Sequence, residues 1–123
     1  MRWLVDGMNV IGSRPTGWWR DRPRAQRELI HELEAFAAAT GDEVAVVFDG
    51  RPFALPGDGR VEVGFAAGGR GAADDAIAEW VAGDADSSSL TVVTSDSELA
   101  ARARRAGADV VTSGSFRRRL DEG

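Results

Sequence analysis

Cysteine is absent from the 123-residue chain, so neither a disulfide framework nor a thiolate metal site is available. The lone His31 cannot by itself make a histidine-based metal centre. Lysine is missing too, and all 15 basic side chains are arginine. No apolar run approaches the roughly 20 residues of a membrane span. The first such run, Trp3-Leu4-Val5, is cut short by Asp6, as no secretory signal would be. The protein therefore reads as cytoplasmic, with no membrane partner. Linkers, low-complexity tracts and repeats of about 20–50 residues are also missing, which predicts one domain over 1–123. A hydrophobic content of 43% with 28% charged residues belongs to a folded globular chain.

A net charge of −5 runs against the basic face usual in a nucleic-acid binder. Distribution matters more than the sum when carboxylates gather at a cation site. The arginines cluster at Arg14, Arg20, Arg22, Arg24 and Arg27, at Arg51, Arg60 and Arg70, and again at Arg102–Arg105 and Arg117–Arg119. Guanidinium groups suit bidentate phosphate recognition. Each cluster equally suits a solvated face in an arginine-preferring sequence. Trp18 and Trp19 beside Arg20 have the same two readings, as a stacking surface for single-stranded RNA or as core and interface.

Short β-rich runs alternate with helical patterns. Arg2–Val5, Glu43–Phe48 and Leu90–Thr94 read as strands, with a short fifth at Asp109–Thr112. Val61, Val63 and Phe65 alternate as in a half-exposed strand. Helices are predicted from Pro23 to about Thr40, Ala73 to about Ala82, Ser97 to Ala106 and around Ser115–Leu120. Pro23 near the first start and Gly41 just past its end are the expected punctuation. Alternating elements predict an α/β fold, a mostly parallel sheet of about five strands with helices on both faces. The Pro- and Gly-rich stretch before Val61 carries no helical pattern, so that strand is expected at an edge, in either direction.

Three strands end on an aspartate: LVDG at Asp6, VVFDG at Asp49 and VVTSD at Asp96. Aspartate before glycine often marks a hairpin, which would explain one of the three. Parallel strands bring all their carboxyl ends to one edge, where ligands bind if the strand order reverses, and that explains all three. A fourth acidic element, Asp74-Asp75, heads a helix, where carboxylates are favoured by the helix dipole alone. Successive helical residues point about 100° apart, so one of the pair is expected to face the others. Crowded carboxylates repel, and a bound cation relieves them. Oxygen donors without His or Cys select Mg²⁺ or Mn²⁺. Such ions lower the pKa of bound water and stabilise both oxygens in phosphoryl transfer. Asn9 is neutral and fits either a phosphate contact or a turn after the strand.

VDGMNVIG, VVFDG, ADDAIAEW and VVTSD, in this order and spacing, resemble the YacP-like branch of the NYN domains, within the PIN-like nuclease superfamily. The resemblance runs from Arg2 to about Phe116. It implies a three-layer α/β/α sandwich and a metal-dependent endoribonuclease that leaves a 5′ phosphate and a 3′ hydroxyl. Carried over residue by residue, Asp6, Asp74 and Asp96 become the catalytic core. Asp49 joins them as a further Mg²⁺ or Mn²⁺ ligand, with Asp75 and Ser95 beside the ligands. Asn9, Arg70, Arg20 and Arg24 are the expected RNA contacts, Arg70 lying in a glycine-rich GGRG segment. Ala72 departs from the pattern, standing where a small hydroxyl residue often caps the helix. Two other functions fit the same rim, a non-catalytic RNA-binding module and a small nucleotide phosphohydrolase. A covalent phosphatase does not fit, because Met8 stands where a second aspartate is needed.

Overall fold

The computed structural model describes residues 1–56, 59–69 and 71–122. Its strands are β1 (Arg2–Asp6), β2 (Glu43–Asp49), β3 (Glu62–Ala66), β4 (Leu90–Val93) and β5 (Asp109–Val111). The helices are α1 (Gly7–Ile11), α2 (Arg22–Thr40), α3 (Ala72–Gly83), α4 (Ser97–Arg105) and α5 (Ser113–Glu122). All five strands pair in parallel, in the order β3-β2-β1-β4-β5. The chain winds outward from β1 to one side, then returns to start the other, so its order reverses beside β1.

Strand alternation sorts the core into two halves. Trp3 and Val5 of β1, with Val44, Val46 and Phe48 of β2, pack with Leu29, Ile30, Leu33 and Phe36 of α2 and Phe116 of α5. On the other face Leu4, Ala45 and Val47 meet Ile77 and Val81 of α3 and Leu99 and Ala103 of α4. Helices thus cover both faces, as expected. Continuous apolar runs such as VAVVF arise because each central strand is buried on both sides.

Helix α2 starts where Asp21 accepts a hydrogen bond from the Arg24 N–H (3.2 Å), and it ends at Gly41, whose φ of 75° suits glycine. The predicted edge strand is β3, and its direction is now settled as parallel. Among the described residues of its crossover from β2, no helix forms. Phe53 takes that place, packing against Phe48 and Phe65 with ring centroids 6.4 and 5.0 Å away, and buried Val61 closes the segment.

Helix α1 escaped the sequence patterns. Five residues are too few to show a helical period, and glycine, valine and isoleucine are indifferent helix formers. Its first residue explains the opening motif. A Cβ on Gly7 would lie 2.4–2.5 Å from two ring carbons of buried Phe48 and 2.9 Å from Val46 Cγ2. Glycine follows Asp6 because β2 leaves no room for a side chain, and there is no hairpin.

Candidate active site at the carboxyl edge of the sheet

The four predicted carboxylates arrive at one edge from four separate elements. Asp6 ends β1, Asp49 ends β2, Asp96 precedes α4, and Asp74 lies in the first turn of α3. Asp6 is the deepest, with 5% of its surface exposed. Burial pushes its carboxyl up to about 6, helped by the charges of Asp74 and Asp49 and opposed by the Thr94 hydroxyl and the nearby Asn9 N–H. Asp74 is likewise raised, first by burial, then by Asp96, Asp49 and Asp75, with Arg102 acting against them. Asp74 therefore lies within electrostatic reach of Asp49 and Asp96, and Asp6 within reach of Asp74 and Asp49. Among the described residues, no three acidic or histidine side chains are drawn into a closed ligand set.

The opposite edge of the sheet differs. There Asp84 pairs with Arg2 (2.7 Å), and Asp42 accepts from Trp3 Nε1 (2.9 Å) and the terminal amine (2.9 Å), so both carboxyls are held below their usual range. Among the described residues neither Asp6 nor Asp74 has an ion-pair partner, and Arg102, which acts on Asp74, is tied to Asp75. Charge is paired at one edge and left exposed to mutual repulsion at the other.

Some donors at the rim are already committed. Thr94 Oγ1 donates to Asp6 Oδ2 (2.9 Å) and accepts from the Asp96 N–H (3.1 Å). Asp96 Oδ1 caps α4 by accepting from the Leu99 N–H (2.9 Å). Asp49 Oδ1 accepts from the Ala73 N–H (3.0 Å), which supplies from β2 the cap that Ala72 cannot. Each of these aspartates keeps its second oxygen out of these bonds. Asp75, in contrast, is exposed and tied to Arg102 at 2.8 Å.

Asn9 has a structural tie. Its Oδ1 accepts from the Ser95 N–H (2.8 Å) and the Ser113 hydroxyl (2.6 Å), while Ser95 Oγ accepts from the Ser113 N–H (3.0 Å). The knot joins α1 to the end of β4 and the head of α5. Ser95 thus supports Asn9, and the hydroxyl that meets a carboxylate is its neighbour Thr94. The amide nitrogen of Asn9 remains without a partner among the described residues.

The predicted RNA contacts divide. Arg20 lies over the exposed Trp19 ring, 5.9 Å from its centroid, whereas Trp18 is half-buried against the core. Arg24 is held by Glu28 at 3.0 Å on an exposed helix face. Arg70 lies outside the described residues. Sequence patterns missed an open cleft of about 670 Å³ running from Asp49 to the head of α2. Arg22 and Arg51 stand on it, and neither has an ion-pair partner among the described residues. Thr94 was visible in VVTSD but had no signature separating it from a strand residue.

The Thr94 bridge is testable. Thr94→Val should cost the metal-free protein about 1–3 kcal/mol, because it leaves a buried carboxylate and the Asp96 N–H each short of a partner. Urea unfolding in EDTA measures this, with Thr94→Ser expected to stay near the parent value. Equal stability of the valine variant would mean that the bridge carries no load.

A profile of the YacP-like NYN domain, a nuclease-like domain type with RNA-related function, matches residues 3–123. The crystal structure of a tryptophan-to-leucine variant of Rae1 (YacP) from Bacillus subtilis superposes with a TM-score of 0.82 at 27% identity. That match covers 99% of this chain and 75% of the other. A second crystal structure of Rae1 (YacP) from Bacillus subtilis gives a TM-score of 0.76 at 27% identity, covering 99% and 74%. Among curated proteins, none matches this chain. Among the described residues, no helix is long and apolar enough to cross a membrane. With the profile spanning all but the first two residues and the fold shared throughout, the chain belongs to the YacP-like NYN domain family.

Proposed function

We propose that the protein is a metal-dependent endoribonuclease working at the Asp6–Asp49–Asp74–Asp96 rim. The observation that carries this reading is a carboxylate buried at the point where the strand order reverses, with acidic neighbours and no ion-pair partner among the described residues. Asp6 and Asp74 hold protons more tightly than free carboxylates because burial first, and neighbouring carboxylates second, make ionising them costly. The donor set fits a hard divalent ion: it is oxygen only, and its charges repel until one is bound. Asp6, Asp49, Asp74 and Asp96 would hold Mg²⁺ or Mn²⁺, which supplies an activated water and charge neutralisation at the phosphodiester.

The chain's own groups do the rest. Thr94 holds Asp6 in orientation and links it to the head of α4. The free Asn9 amide donor is a phosphate contact at the same edge. Arg22 and Arg51 offset the acidic rim for a polyanionic strand, since neither guanidinium group has an ion-pair partner among the described residues. Single-stranded RNA suits the open cleft better than a duplex does, because its bases are accessible. The expected products carry a 5′ phosphate and a 3′ hydroxyl.

Purified protein with labelled RNA and a nucleotide panel, in Mn²⁺ or EDTA, tests the reading. Internal cleavage of RNA in Mn²⁺, none in EDTA and intact nucleotides are expected. Tight binding without cleavage would make it a binding module instead, and nucleotide hydrolysis a phosphohydrolase.

Salt dependence tests the arginines. Single-strand binding loses about 0.7 in log–log slope per phosphate contact removed. Arg22→Gln with Arg51→Gln should therefore flatten the slope by about 1.4 and weaken binding. Arg24→Gln should change it less, since Glu28 already holds that guanidinium. An unchanged slope in the double variant would place both arginines off the RNA path.

A further inference from the structure

Gln26 is out of place. It heads the buried stripe of α2, whose apolar members are Leu29, Ile30, Leu33, Phe36 and Ala37 with Glu34 buried beside them, yet it is only 6% exposed. Among the described residues its one hydrogen bond runs from Nε2 to the thioether of Met8 (3.4 Å), a weak acceptor. Its carbonyl oxygen has no partner among the described residues. An amide in that state is costly unless water reaches it, and leucine would fill the stripe with no polar group to satisfy. The amide is not sealed in, however. Gln26 lines the cleft beside Asp49, so its polar end meets solvent there.

The rest of the cleft has matching chemistry. Phe53 is half-buried, with Phe65 set edge-on to its ring (75°), and it lines the cleft as well. Base–aromatic stacking is the usual means of holding unpaired nucleotides. The guanidinium groups of Arg22 and Arg51, without ion-pair partners among the described residues, stand at the same opening. The volume, about 670 Å³, lies within the range of roughly 300–1,000 Å³ found for small-molecule sites.

We propose that this cleft is a nucleobase subsite: one unstacked base of the RNA lies against Phe53 and hydrogen-bonds the Gln26 carboxamide, while Arg22 and Arg51 take the flanking phosphates. Asp49 belongs to both cleft and rim, so the base is that of a nucleotide next to the scissile bond. The assignment deepens the proposed nuclease reading and rests on it for the position of the cut. Base binding itself can be measured without cleavage.

The test is an abasic scan. Short labelled RNAs, each lacking one base, are bound to the protein in EDTA and followed by fluorescence anisotropy. One position is expected to stand out, losing about 10-fold in affinity, the scale of one stacked base. Phe53→Ala should show that loss on intact RNA and no further loss on the abasic strand. Gln26→Leu should bind intact RNA several-fold more weakly while unfolding at equal or higher urea, because it completes an apolar stripe. A parent protein indifferent to every missing base would overturn the subsite. So would a Gln26→Leu protein that unfolds more easily and binds RNA normally, since Gln26 would then be structural. The two readings separate cleanly. Abasic sensitivity without Mn²⁺-dependent cleavage keeps the subsite and sinks the nuclease. Cleavage without abasic sensitivity does the reverse.

Discussion

In EDTA at neutral pH, Asp6→Asn is expected to melt higher than the parent protein and to gain little from added Mn²⁺. Most substitutions at buried positions destabilise, so the direction is diagnostic. Burial in the folded protein raises the Asp6 carboxyl to about 6, against an ordinary value of 3.8. A raised carboxyl stabilises the fold fully below the unfolded value, and that contribution is lost as pH rises through the folded one. At about 1.4 kcal/mol per tenfold, the gap bounds the effect near 3 kcal/mol. Relaxation and solvent entry at the rim bring the expected gain to about 1–2 kcal/mol. The asparagine side chain still accepts from Thr94, and its amide faces Asp49 and Asp74 without adding charge. The difference between variant and parent should shrink between pH 7 and pH 4, as the parent carboxyl takes up its proton. The lost response to Mn²⁺ follows because a ligand stabilises only through its affinity for the folded state. A lower melting point in EDTA with a normal Mn²⁺ response would make Asp6 a structural residue.

Gly7→Ala should be the most damaging single-methyl change in the first motif. The new Cβ would meet Phe48 ring carbons at 2.4 and 2.5 Å, and Phe48 is fully buried. Ring displacement is opposed by Phe53 and Phe65 on the same face. Overpacking of this kind costs about 1–3 kcal/mol, and the upper end is expected because aromatic neighbours surround the ring. Urea unfolding measures the loss. Phe48→Leu, destabilising alone, should recover part of it in the Gly7→Ala background, since the two sites are coupled by contact. Strict additivity would show that Gly7 serves the backbone turn and not the packing.

What could be read from the sequence follows from where the physics is local. Strands buried on both faces write themselves as continuous runs, so VAVVF and LTVV marked β2 and β4, and their terminal aspartates fell on one edge once the sheet was parallel. The acidic pair heading α3 was equally plain, and the 100° step between its members explains why Asp74 meets the rim while Asp75 reaches Arg102. The direction of β3 was not legible, because its crossover is closed by Phe53 and Val61 and, among the described residues, has no helix to show a period. The cleft was invisible for another reason. It joins Arg22 and Gln26 to Arg51 and Phe53, residues far apart in the chain, and each looks ordinary in its own segment. Trp18 and Trp19 divide between core and surface because a tight turn at Trp18–Arg20 sends adjacent side chains in different directions, their rings 85° apart.

The central claim is that the rim carboxylates, and not the fold at large, carry metal-dependent cleavage of RNA. Cleavage rates of end-labelled RNA in Mn²⁺, measured under single-turnover conditions, address it most directly. Removing even the outer partners of a metal typically costs about 10–100-fold. Asp6→Asn and Asp74→Asn should therefore each lose about 100-fold or more, while their circular dichroism stays unchanged. Asp75→Asn is the internal control, one residue along the same helix but exposed and turned to Arg102, and should stay within a few-fold of the parent. Full activity in Asp6→Asn and Asp74→Asn, or equal loss in all three variants, would contradict the account.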